Sequence, residues 1–106
     1  MKVLTLGHAY ALKNFEDKPD VTEYQHLQFI HKEPKEVGSI ELVTVADGTT
    51  NEEVLKVLID RLNFLQAKFP CRENAIVITK LEEALMWLEK RTADRLARQV
   101  EGKQIK

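Results

Sequence analysis

Between Thr50 and Val100 apolar residues recur at three- and four-residue spacing in two runs, interrupted by Pro70, and that pattern asks for a helical hairpin. The first run is Val54, Leu55, Leu58, Leu62, Leu65 and Phe69. Thr50 with Glu53 can form a capping box at its start, and Thr49 with Glu52 is an equally good register. Glu52 lies four residues before Lys56, which supports the same helix. The helix must end before Pro70, because the residue ahead of a proline disfavours the α region. The second run begins near Arg72 or Glu73 and carries Ala75, Ile78, Leu81, Leu85 and Leu88, widened by Val77, Ala84 and Trp87. It can continue to about Val100, with Gly102 as a stop. The second helix is then roughly 40 Å long at 1.5 Å rise per residue. Pro70-Cys71 is a short connection, so the helices run antiparallel. The first helix is too short to cover the second, so the surplus must pack on the sheet, pack on another protomer or fray, and part of it is expected to pack on another protomer.

The half before the hairpin has a different period. Lys2–Leu6 alternates, Glu23–His31 is a weaker strand signal, and Ser39–Val45 is rich in β-branched residues. Turn signals lie at Lys18-Pro19-Asp20 and at Glu33-Pro34-Lys35 with Val37-Gly38. No crossover helix fits between these strands, so the sheet should be antiparallel. The fold expected is α+β: a small N-terminal antiparallel sheet, then a two-helix hairpin with a long second helix. The 106 residues read as a single domain, with a strand-rich segment over 1–46, the hairpin over 47–102 and a tail at 103–106.

The chemistry to be expected is narrow. A net charge of −1 predicts neither a nucleic-acid polymer nor a membrane surface as partner. No stretch approaches the ~20 apolar residues that span a bilayer. Cys71 is the one cysteine, which excludes a disulfide within the chain and suits a reducing cytoplasm. At a helix start its thiol could be activated, but no base stands beside it in the sequence, and an incidental thiol is the simpler reading. His8, His26 and His31 are far apart in sequence, no metal-ligand spacing exists, and neither a metal nor a cofactor is expected. Glu82-Glu83 point about 100° apart on a helix and read as a solvated face. No catalytic constellation is visible, so the chain reads as a binder and not an enzyme.

Two clusters suit an anionic ligand. Around the hairpin turn, Phe69-Pro70-Cys71-Arg72-Glu73-Asn74 sets an aromatic, an arginine and an amide at a helix N-terminus, where free N–H groups and the dipole favour phosphate. Arg72 adds a guanidinium fork, Asn74 can read a purine edge, and Phe64 or Phe69 can stack on a base. The plainer readings are Phe69 in the core, Arg72 solvated and Asn74 as a cap. At the far end, Lys90, Arg91, Arg95 and Arg98 form a basic cluster with an Asp94–Arg98 helix pair, read most simply as a solvated helix end.

Asp47-Gly48-Thr49-Thr50-Asn51-Glu52-Glu53-Val54-Leu55, Lys68-Phe69-Pro70-Cys71-Arg72-Glu73-Asn74-Ala75 and Ile78-Thr79-Lys80-Leu81-Glu82-Glu83-Ala84-Leu85-Met86-Trp87-Leu88-Glu89-Lys90-Arg91-Thr92 resemble the phage Thoeris anti-defence sponge family. That family shares its helical hairpin with anti-CBASS sponges. The resemblance covers roughly residues 44 to 102. It implies a small α+β chain that assembles as a dimer or hexamer in the cytoplasm of the infected bacterial host. It implies capture, without degradation, of cyclic ADP-ribose isomers made by TIR-domain enzymes, glycocyclic ADP-ribose above all. Some members also hold cyclic di- or trinucleotides in separate sites. By the same resemblance Phe64 and Asn74 are base-recognition candidates, Arg91 a phosphate-binding candidate, and Thr79 a match to a threonine near the trinucleotide site. A sponge used mainly for cyclic di- or trinucleotides, and a hairpin that only mediates protein assembly, are the alternatives.

Overall fold

The order of elements is five short strands followed by two helices: β1 (Lys2–Thr5), β2 (Ala9–Leu12), β3 (Gln25–Gln28), β4 (His31–Pro34), β5 (Leu42–Ala46), α1 (Asn51–Lys68) and α2 (Arg72–Ala97). The computed structural model describes residues 1–16, 18 and 24–106. The architecture is α+β. Pro19 and Asp20 of the turn expected at residues 18–20, and Glu23 at the head of the second expected strand, lie outside the described residues.

The strands form two antiparallel sheets where one was expected, β1-β2-β3 and β4-β5. Alanine is a weak strand former, which hid β2 in the sequence, but small side chains are what this strand needs. Ala9 and Ala11 are buried, and together with Ile78 they are the buried apolar side chains among the described residues. The expected strand at 23–31 is cut short. Beyond Gln28 the chain leaves the first sheet, Phe29 bridges to Thr49, and His31 opens β4. Glu33-Pro34, expected in a turn, ends that strand instead. Pro34 sits on a two-stranded edge, where a missing N–H costs little. The turn comes later, at Glu36–Ser39, with Gly38 at φ +80.

Gly48 joins the sheets to the hairpin. A Cβ there would lie 2.4 Å from the Gln28 carbonyl oxygen, so only glycine lets the two backbones approach. On either side of this contact, Thr49 N–H donates to Gln28 O and Ile30 N–H to Thr49 O, both at 2.9 Å.

The hairpin forms as its period requires. Thr50 is the N-cap of α1, its hydroxyl accepting from Glu53 N–H at 3.2 Å, which selects this register over Thr49. Cys71 caps α2 through Sγ, 3.4 Å from Asn74 N. Gln66 closes the turn from the side: its amide donates to Cys71 O at 2.9 Å and accepts from Cys71 N–H at 3.1 Å. The seam is lined by Leu55, Leu62 and Leu65 of α1 and by Ile78, Leu81, Leu85 and Leu88 of α2. Val77, Ala84 and Trp87, which widen the stripe in sequence, are exposed.

The second helix stops at Ala97, earlier than expected, because Gln99 takes the left-handed conformation at φ 58 ahead of Gly102. Arg95, one of the basic cluster read as solvated, is the buried charge of the fold at 4% exposure. Its guanidinium donates to Val100 O and Lys103 O, each at 2.7 Å, to Ile105 O, and to the Glu101 carboxylate at 3.1 Å. It therefore caps the folded-back C-terminus, and Gln104 N–H reaches Ile40 O at 2.9 Å. Asp94 pairs with Lys90 at 3.1 Å rather than with Arg98, which donates to Lys106 O.

Candidate functional site

A cleft of about 890 Å³ lies between the first sheet, the head of α1 and the far end of α2. That volume lies in the range of small-molecule sites. Tyr10 on β2 and Phe29 beyond β3 form one wall, packed edge to face at 6.0 Å and 85°. Arg91 and Lys56 bring positive charge, and Glu52, Glu89 and Glu101 bring negative charge. Arg91 has no hydrogen bond or ion pair among the described residues, so its fork is available to an incoming oxyanion. The α1 N-terminus lies at the same edge through Thr50 and Asn51, although Thr50 already satisfies Glu53 N–H.

The remaining residues singled out in sequence lie elsewhere. Phe64 lines a groove of about 530 Å³ with Arg61 and Lys56, and Lys68 Nζ stands 4.6 Å from its ring centroid. Arg72 and Thr79 share a shallow groove of about 410 Å³ on α2. The Thr79 hydroxyl donates to Ala75 O at 3.2 Å and keeps acceptor capacity. Phe69, the C-cap of α1, is 80% exposed and so is not the core residue its place in the stripe suggests. Asn74 is half-buried in the first turn of α2, its backbone N–H committed to Cys71. Asn74 and Arg91 are about 25 Å apart along α2 at 1.5 Å per residue. One chain therefore does not present both to a single nucleotide.

Tyr10 and Phe29 escaped the sequence reading because both sit where the strand signal was weakest. Aromatic residues beside the turn at Gly7 and in the run at Phe29-Ile30 were the available hint. The histidines also fall otherwise than their spacing suggests. His8 and His31 stack face to face, and Glu33 lies against His31.

Two small sheets feeding an antiparallel hairpin with an overlong second helix define the chain as a hairpin-domain protein of the α+β class. The family model described as "Acb2/Tad1, hairpin domain" matches residues 23–93, and the chain belongs to that family. Over 58 residues, 54% of its length, the chain is 59% identical to a protein of Bacillus phage SBSphiJ7 named Thoeris anti-defense 1. The match spans 41% of that relative's length. No helix among the described residues is long and apolar enough to cross a membrane.

Proposed function

We propose that the chain is a phage anti-defence protein that captures cyclic nucleotide immune signals and holds them intact, with glycocyclic ADP-ribose as the principal ligand. The observation that carries this reading is the guanidinium of Arg91, unpaired among the described residues, on an 890 Å³ cleft walled by Tyr10 and Phe29. A phosphate-bearing ring system needs both features: a charge-assisted fork for the phosphates and a π surface for the base. Kinship to a phage protein named for Thoeris anti-defence supports the same reading. Capture needs no acid or base, only tight and desolvated contact.

The site we propose is completed between copies of the chain in a dimer or hexamer. Phe64 and Asn74 near the hairpin turn of one copy meet Arg91 of another, since a single chain keeps them apart. The place of action is the cytoplasm of the infected host, where the signal is made. A second ligand class, cyclic di- or trinucleotides, is favoured by the separate groove that joins Arg72 to Thr79.

Calorimetry of the purified chain against cyclic ADP-ribose isomers tests the proposal, followed by heat denaturation and mass spectrometry of what is released. Saturable binding at micromolar concentration or below, with the ligand recovered intact, is the expected result. Failure to bind any isomer, or recovery of linear ADP-ribose, sinks it. Binding of cyclic trinucleotides without competition from the ADP-ribose isomer would place the second class in its own groove.

A further inference from the structure

His8 and His31 are 23 residues apart in sequence, and the fold makes them neighbours. His8 stands in the turn after Gly7, whose φ of +76 reverses the chain between β1 and β2. His31 is the first residue of β4, and Glu33 follows two positions on, on the same face of that strand. The register irregularity of this pair leaves Val45 on β5 as the extra residue, so the alternation along β4 is kept. The two imidazoles stack with centroids 3.8 Å apart and planes within 9°. His31 Nε2 and Glu33 Oε1 are 2.6 Å apart, and one ligating atom from each of the three residues lies within 4.8 Å of the others. Both histidines are partly buried, while Glu33 is exposed.

We propose that His8, His31 and Glu33 bind a divalent transition ion of the zinc class. Two imidazole nitrogens and one carboxylate oxygen match zinc, whereas magnesium and calcium call for all-oxygen sets and cuprous copper for thiolates. Zinc–ligand bonds of about 2.0–2.2 Å place tetrahedral ligand atoms roughly 3.2–3.6 Å apart. On binding, the ligand atoms therefore draw together by about 1–1.5 Å and the two rings turn out of their parallel stack, so that an in-plane lone pair of each aims at the ion. The ion replaces the proton between His31 Nε2 and Glu33 Oε1, and that proton leaves to solvent. A water takes the fourth position. Since His8 stands in the turn joining β1 to β2 of the three-stranded sheet, and His31 with Glu33 lies in the two-stranded one, the ion ties together sheets that share no strand pairing.

The test uses the full chain, stripped with chelator and titrated with zinc chloride, with no nucleotide present, so its outcome is separate from that of the sponge proposal. One zinc per chain, with a rise in thermal midpoint as zinc is added, is expected. His8→Ala, His31→Ala and Glu33→Gln should each weaken binding by about tenfold or more. His26→Ala and Cys71→Ser should bind as the parent does. Long-range proton–nitrogen spectra of the unmutated chain should show the ring signals of His8 and His31 moving while those of His26 stay, a readout that survives any variant that fails to fold. Absence of binding, loss of binding in Cys71→Ser, or unmoved His8 and His31 rings would overturn the proposal.

Discussion

Arg91 differs from its neighbours Arg95 and Arg98 in having no hydrogen bond or ion pair among the described residues. Arg95 is buried among carbonyls and Arg98 reaches the C-terminal residue, whereas Arg91 borders the main cleft without a partner. Arg91→Ala should therefore weaken binding of a cyclic ADP-ribose isomer by about 1.5–3 kcal/mol, the range for a hydrogen bond to a charged group. The thermal midpoint should stay unchanged, because no intramolecular bond is lost. Calorimetry beside a melting curve checks both halves, and a fall in stability without a fall in affinity would contradict the assignment. In sequence Arg91 stood within a basic cluster, and spacing did not tell it from Arg95. What separates them is where the C-terminal residues fold back, a tertiary fact. Phe64 and Asn74 stand out in sequence both through the aromatic, arginine and amide at the hairpin turn and through the resemblance, whereas Tyr10 and Phe29 lie in surroundings that read as weak strand.

At the level of elements, legibility follows local determination. The hairpin was readable because period, capping threonine and Pro70 all act within a few residues of where they are seen. The strands were less so, since four-residue segments such as β2 and β4 owe their form to what they pair with. Gly48 is a case in point: nothing nearby in sequence shows that the Gln28–Phe29 backbone crosses it. Gly48→Ala should destabilise the chain by about 1–3 kcal/mol through overpacking against that backbone, read as a lower urea midpoint. Arg95 holds the other junction. Arg95→Ala takes from Glu101 its ion-pair partner and from the Ile105 carbonyl its donor, while Val100 O and Lys103 O keep backbone donors from Lys103 and Ile105, at a cost of about 1–3 kcal/mol. Arg95→Lys should rescue little, because one ammonium cannot span acceptors arranged for a planar fork. Hydrogen exchange should show protection lost first over residues 98–106 in both variants.

The whole molecule is too open for its mass. A 12.2 kDa monomer is expected to expose about 6,100 Å², and this chain exposes 8563 Å². Its radius of gyration is 17.5 Å, against about 13 Å for a compact chain of this length. The excess surface exceeds the ~800 Å² that each partner contributes to a standard interface, so there is room for more than one contact with other copies. The apolar residues left outside support this: Met86 and Trp87 are 55% and 62% exposed on α2, and Val3 and Leu4 are 45% and 47% exposed on β1. Covering Trp87 alone contributes on the order of 3 kcal/mol. Light scattering on the eluted protein should accordingly give a multiple of 12.2 kDa, and Trp87→Glu should shift the population toward a single chain. If assembly brings Asn74 of one copy to Arg91 of another, nucleotide affinity must fall together with the mass. A parent chain that is monomeric at tens of micromolar, or a Trp87→Glu monomer that binds as tightly as the parent, would rule out a site shared between copies.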